Sequence, residues 1–446
     1  MPLDFLSNFQ FNFNLDQFLT LAGSSPFVAM FYLFINGGWL LVVWVLLWGA
    51  KYLWLDYVQG KTAGKKEWAL LRISVPRTSE QTVKAVENMF AQLSGAHSPN
   101  SWTEKWIIGN TQSPLSVEVV SLEGEVGFYV HCERKMRDLV EASIYAQYPD
   151  ADIDLVDDYC LQAPQKYPNE EYDAWGLEMV PVKSDVYPLK TYRDFEDQVS
   201  GEFKDPLAVL LESFSRFGPG EQAWYQIIFT PINQPEARAK ADKEIMKLKG
   251  LKEVVKKTWL DYVADFPIVV AQTLVGALFP SGEEIKKKDE KKDAYPRMMA
   301  LSPGERDVLE AVERKASKIV FSCKIRILYV ARKEVMAKSR IAQPFIGAIK
   351  QFNTNNMQSL KPETKRAGVN GTLWWFKDQR NDVRKTKLVK AYRMRSSWKG
   401  VGNFLMSTEE LATLWHFPIL IQVKAPQLRR IGAKKAEAPS HLPFAP

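Results

Sequence analysis

The side chains best suited to chemistry crowd into one stretch, Lys361 to Lys399. Lys361, Lys365, Arg366, Lys377, Arg380, Arg384, Lys385, Lys387, Lys390, Arg393, Arg395 and Lys399 interleave there with Trp374, Trp375, Phe376, Tyr392 and Trp398. Lysine and arginine neutralise phosphates, and aromatic faces stack on unpaired bases. Lys365, Arg366, Trp374, Trp375, Arg380, Arg384, Lys385, Lys387, Lys390, Arg393, Arg395 and Trp398 are therefore the candidate contacts to nucleic acid or to a partner. Two further readings share the same composition. One is a solvated face beside an anionic lipid leaflet, where each base contributes about 1 kcal/mol. The other is a protein interface, and the spacing alone does not choose among the three.

Elsewhere the chain offers little that resembles catalysis. Cys132, Cys160 and Cys323 are far apart and odd in number, so neither a zinc site nor a disulfide framework is indicated. The four histidines, His97, His131, His416 and His441, lack metal-ligand spacing. Gly60, Gly64 and Lys65 approach a phosphate-binding loop, but one residue is missing between the glycines. Lys66 also stands where Ser or Thr should hold magnesium. No nucleophile elbow, HExxH or GxGxxG occurs. Asp150, Asp152, Asp154, Asp157 and Asp158 alternate along a predicted strand and read as a solvated edge. The expectation is a protein that is not an enzyme, with no cofactor and no metal.

The elements that must position the basic stretch follow from composition and periodicity. The chain has 446 residues, 46% of them hydrophobic, and a formal net charge of +7, which suits a folded chain of two or three domains. Between Asp16 and Lys51 no charged residue occurs. About 20 apolar residues are needed to span a bilayer, and Met30 to Trp48 with its flanks meets that length. This predicts a single transmembrane helix over 26–58, with Trp39, Trp44, Trp48, Tyr52 and Trp54 as its anchor aromatics. Lys51, Lys61, Lys65 and Lys66 follow the span and only acids precede it, which predicts the N-terminus outside and the bulk of the chain in the cytoplasm. Residues 1–25 read as an extracytoplasmic tail and 59–66 as a linker.

From residue 67 the pattern is α+β. Strand signals at Trp68–Val75, Leu115–Leu122, Glu125–Cys132 and Ile153–Tyr159 alternate with helix signals at Glu80–Leu93 and Arg134–Gln147. The helix at Glu80 has a candidate capping box in Thr78 and Gln81. The order is βαββαβ, a ferredoxin-like unit over 67–162. A second copy is predicted over 172–425, with strands at Trp175–Val182, Gln222–Phe229 and Val320–Val330 and helices opening near Asp205 and Lys333. A helical insertion at about 234–300 interrupts it, and the sequence of the first copy near Phe128 is echoed near Leu328. The apolar run Phe266–Phe279 reads as a buried helix. Ser407 and Glu410 predict a capped helix that buries Leu411, Leu414, Trp415 and Phe417, and 426–446 reads as a proline-containing tail.

Leu70–Pro76 with the helix Glu87–Phe90, then Leu115–Leu122, Glu125–Val130 and Ile144–Ala151, are similar to one known family. Gln351–Asn355, Leu405–Pro418 and Glu437–Pro443 continue the likeness. Together they resemble the N-terminal, non-ATPase region of membrane-anchored type IV secretion and conjugation-type ATPases of the HerA/FtsK-like kind from candidate-phyla bacteria. The resemblance covers residues 25–446 and carries no active-site residue. It implies a membrane-tethered scaffold of a secretion or DNA-transfer machine, located at the bacterial cell membrane and working with a separately encoded ATPase. A second copy of the chain and DNA are further candidate partners. A membrane-tethered nucleic-acid-binding protein outside any secretion system is the alternative.

Overall fold

A computed structural model describes residues 20–21, 25–76, 79, 81–196, 203–249, 301–369 and 375–418. The expected capping residue Thr78, Trp374, the apolar run at Phe266–Phe279 and the tail 426–446 lie outside them. Two compact units are present, residues 1–67 with 98–112 and residues 68–97 with 113–446.

In the first unit the apolar run is divided. Helix α1 (Pro26–Leu33) is followed by a π-helical turn, Phe34–Gly38, and then by α2 (Trp39–Ala63). The Asn36 amide donates to the Tyr32 carbonyl at 2.8 Å where the helix changes pitch. Within α2 the uncharged run stops at Lys51, so Trp39–Ala50 covers only about 18 Å of a hydrocarbon core about 30 Å thick. Among the described residues no helix is long and apolar enough to cross a membrane. The single transmembrane helix, and the anchoring and orientation drawn from it, are thereby overturned. Trp44, Trp48, Tyr52 and Trp54 are exposed on α2 and Trp39 is half-buried.

The expected linker at 59–66 is helical as far as Ala63, the last residue of α2. The second half of that helix is held by residues 98–112: Trp54 Nε1 donates to the Trp106 carbonyl at 3.0 Å and Lys51 Nζ sits 5.0 Å from the Trp106 ring. Thr62 and Lys66 donate to the carbonyls of Ile108 and Thr111.

In the second unit the described residues include nine strands. They are β1 (Trp68–Ser74), β2 (Leu115–Leu122), β3 (Glu125–Glu133), β4 (Asp152–Val156), β5 (Tyr172–Pro181), β6 (Glu221–Pro231), β7 (Val320–Arg332), β8 (Leu360–Glu363) and β9 (Phe404–Ser407). They form one antiparallel sheet in the order β4-β1-β3-β2-β6-β7-β5-β8, and β9 pairs with the start of β7. The two separate ferredoxin-like modules expected from the sequence are replaced by this continuous sheet. The seam is β2 against β6, from Leu115 opposite Phe229 to Leu122 opposite Gln222. Nearly every residue of β2 and β6 is buried on both faces, and pairing with each other satisfies backbone groups that a buried edge would leave unbonded.

Among the described residues up to 350, α-helices also form at α3 (Val83–Leu93), α4 (Arg137–Tyr145), α5 (Ala208–Ser215), α6 (Gln234–Leu248), α7 (Pro303–Ala316) and α8 (Ser339–Lys350). Then come α9 (Lys377–Arg393) and α10 (Thr408–Leu414). One face of the sheet, with Leu71, Val117, Val130, Ile227 and Ile327, packs under α3, α4, α5, α8 and α10. Trp415 is fully buried there, with its ring 5.0 Å from Phe417, 5.9 Å from Phe128 and 6.2 Å from Phe90. The capping boxes at Ser302 with Glu305 and at Ser407 with Glu410 both form.

The opposite face, with Leu70, Val120, Tyr129, Trp224, Leu328 and Val330, is covered by Tyr159, Cys160 and Tyr167 and by Leu388, Val389 and Tyr392 of α9. The basic stretch is thus pinned to the sheet by an apolar stripe.

Candidate anion-binding cleft

Beneath α9 a row of polar residues crosses the sheet, one per strand. Asp154, Arg72, Tyr129, Glu118, Gln226, Arg326, Glu178 and Glu363 stand opposite one another in register. Because side chains alternate along a strand, residues in register share a face. Glu118, Gln226, Arg326 and Glu178 are fully buried, and buried charge is tolerated only when paired and hydrogen-bonded.

On one side of the row Arg395 supplies the pairing. Its guanidinium bonds Glu118 at 3.1 Å and also bonds Asp158, while Tyr159 donates its hydroxyl to Glu118 at 2.6 Å. Burial alone would raise the Glu118 carboxyl, but Arg395, helped by His131 and Tyr159, holds it below the ordinary carboxylate range. The Asp158 carboxyl is lowered in the same way, with Arg395 overcoming its burial.

On the other side Arg326 pairs with Glu178 and donates to the carbonyls of Ala391 and Lys399. Lys324 donates to the carbonyls of Ser397 and Lys399 at 2.6 and 2.8 Å. The segment 396–401 is therefore strapped down by charges rooted in the sheet. Burial, reinforced by Arg326 and opposed by Glu178, pushes the Lys324 ammonium down to about 8. Gly400 has φ +93°, and a Cβ there would lie 2.2 Å from a Glu178 carboxylate oxygen, so only glycine fits.

The strap and α9 enclose a cleft of 480 Å³ whose lining includes Arg366, Arg384, Lys387, Lys390 and Lys399, with Glu178 at its base. Lys377, Arg380, Arg384 and Lys387 recur every three or four residues and so form one stripe along the helix. The Lys399 ammonium is pushed below its ordinary value by partial burial and then by the charges of Lys390 and Arg326. Cations close enough to depress one another, around a carboxylate already paired to Arg326, leave the cleft with a positive potential that an anion would relieve.

The structure separates the sequence-derived candidates into two groups. Arg366, Arg384, Lys387 and Lys390 meet at the cleft, while Lys365 is exposed on the loop after β8 and Arg380 is half-buried on the stripe. Trp375, Phe376 and Trp398 are exposed by 62%, 67% and 86%. Lys385 is instead ion-paired with Asp173 at 2.5 Å, and Arg395 is only 2% exposed, so both serve the body of the protein. Arg384 has a double duty, since it also donates to the carbonyls of Thr364, Lys365 and Gly368. Arg393 is half-buried and away from the cleft lining.

Glu178, Lys324, Arg326 and Gly400 escaped the sequence reading. For the strand residues a signal was present: charge sits inside otherwise apolar runs, singly as Glu118 in LSVEVVSL and Glu178 in WGLEMV, and doubly as Lys324 and Arg326 in FSCKIRIL. Among the described residues no group of His, Cys, Asp and Glu could hold a metal ion. The three cysteines are buried free thiols whose ionisation burial opposes, with Cys132 raised to about 12.

These features define an α+β protein built on one antiparallel sheet, with a basic cleft fastened to it by a buried ion-pair row. Residues 58–427 match the model of a family described as a domain of unknown function, DUF8128, and the chain belongs to that family. No curated protein matches it.

Proposed function

We propose that this protein is a non-enzymatic binding module that holds a phosphate-bearing ligand along α9 and in the adjoining cleft. The observation that carries this reading is the convergence of Arg366, Arg384, Lys387, Lys390 and Lys399 on one cleft whose carboxylate, Glu178, is paired with buried Arg326. A structural surface would spread such charges apart, because each raises the cost of its neighbours. The test is binding of labelled inorganic polyphosphate to the full chain at 50 and 200 mM salt. Binding that weakens steeply with salt is expected, and removing three cations in K387A/K390A/K399A should flatten the log–log slope by about 2. Absence of binding at 50 mM, or a triple variant with unchanged slope, refutes the reading. The partnership with a separately encoded secretion-type ATPase implied by the resemblance belongs to the same proposal. It fails if a tagged full chain recovers no ATPase from native extracts.

A further inference from the structure

We infer that the phosphate-bearing ligand of the cleft is single-stranded nucleic acid, an inference that rests on the binding module proposed above. The cleft cations account for phosphates but not for two exposed rings that lie outside the cleft lining. Trp398 is 86% exposed on the strap, two residues from Gly400, and Phe376 is 67% exposed at the N-cap of α9. Phe376 is also held at φ +47°, a left-handed conformation that a bulky side chain rarely adopts. Strain of this kind is characteristic of ligand clamps.

Phe376 caps the start of the basic helix and Trp398 follows its end by five residues. The helix between them has 17 residues and measures about 26 Å at 1.5 Å per residue. At 3.4 Å per stacked nucleotide that length holds about eight nucleotides, within the roughly 4–16 nucleotide sites of single-strand platforms. Polyphosphate and a lipid headgroup offer these rings nothing to stack on, and a phosphopeptide offers at most an occasional aromatic side chain. Duplex DNA hides its base faces within its own stack. An unpaired strand presents both a phosphate track for Lys387, Lys390 and Lys399 and base faces for Trp398 and Phe376.

The experiment compares three probes on the full chain by fluorescence anisotropy at fixed salt: a 20-nucleotide oligothymidine, a 20-base-pair duplex and inorganic polyphosphate. The single strand is expected to bind at least tenfold more tightly than either of the others. Trp398→Ala and Phe376→Ala should each weaken it at least fivefold while leaving polyphosphate affinity within twofold. Both side chains are exposed, so the variants keep the fold. Single-strand affinity unchanged in both aromatic variants, or duplex bound as tightly as the single strand, overturns this inference while the phosphate-binding reading stands. Failure of all three probes to bind overturns both.

Discussion

Acid should destabilise this protein through His131, and the size of the effect follows from its surroundings. His131 lies on β3 with its ring stacked on Trp68 at 4.9 Å, and its Nδ1 has no hydrogen-bond partner among the described residues. Burial, then the charge of Arg395, lowers its pKa to about 3, with Glu118 and Asp158 opposing. A histidine in the unfolded chain titrates near 6.5. The unfolded state therefore binds the extra proton between about pH 6.5 and 3. The neutral ring's full contribution is present above that window and is lost as pH falls through it. At pH 5 the separation from 6.5 amounts to about 1.5 units, or about 2 kcal/mol at 1.36 kcal/mol per unit. His131→Phe keeps an aromatic ring against Trp68 and removes the titration. Urea unfolding at pH 7.5 and 5.0 should show the variant losing about 2 kcal/mol less than the wild type across that interval. Glu118 and Asp158 are held low chiefly by Arg395, which overcomes their burial and which the variant keeps, so their own losses on acidification are similar in the two proteins. Equal losses in wild type and variant would refute the reasoning.

Two further perturbations probe the strap. Glu178→Gln leaves Arg326 buried without its counter-charge and should cost about 3–5 kcal/mol, whereas Glu178→Leu combined with Arg326→Met should recover much of that; chemical denaturation of the two variants beside the wild type checks both. Gly400→Ala forces a side chain into φ +93° and against Glu178, so it should displace the cleft wall. Its expected signature is polyphosphate affinity reduced at least threefold together with a lowered Tm, and a variant indistinguishable from wild type in both would show that the strap does not position the cleft.

Much of the architecture is local and was legible for that reason. Leu115–Leu122 and Glu125–Glu133 announce themselves as strands by alternation, and the turn between them by Glu123-Gly124, both at positive φ. Ser302 with Glu305 and Ser407 with Glu410 mark helix starts because a capping box needs only four neighbouring residues. The basic-aromatic stretch was equally visible, since composition along the chain requires no fold.

What the sequence could not decide depends on residues far apart in the chain. Hydropathy summed over Phe27–Leu55 ignores the π-helical turn at Phe34–Gly38 and the charge at Lys51, and the helix geometry they impose leaves too short an apolar length to cross a bilayer. Pairing of β2 with β6 joins positions about a hundred residues apart, and no local pattern specifies which strand meets which edge. The same separation hid the division of the basic residues. Arg395 and Lys387 are both bases of one stretch, yet Arg395 meets Glu118 across 277 positions of sequence and is buried, while Lys387 finds no such partner and faces the cleft. The sequence by itself determined seven of the nine described strands, the helix caps at Ser302 and Ser407, and the concentration of positive charge. Only the tertiary structure decided which of those charges are neutralised inside the sheet and which remain to bind a ligand, because pairing in the interior depends on register and register is not written in any one segment.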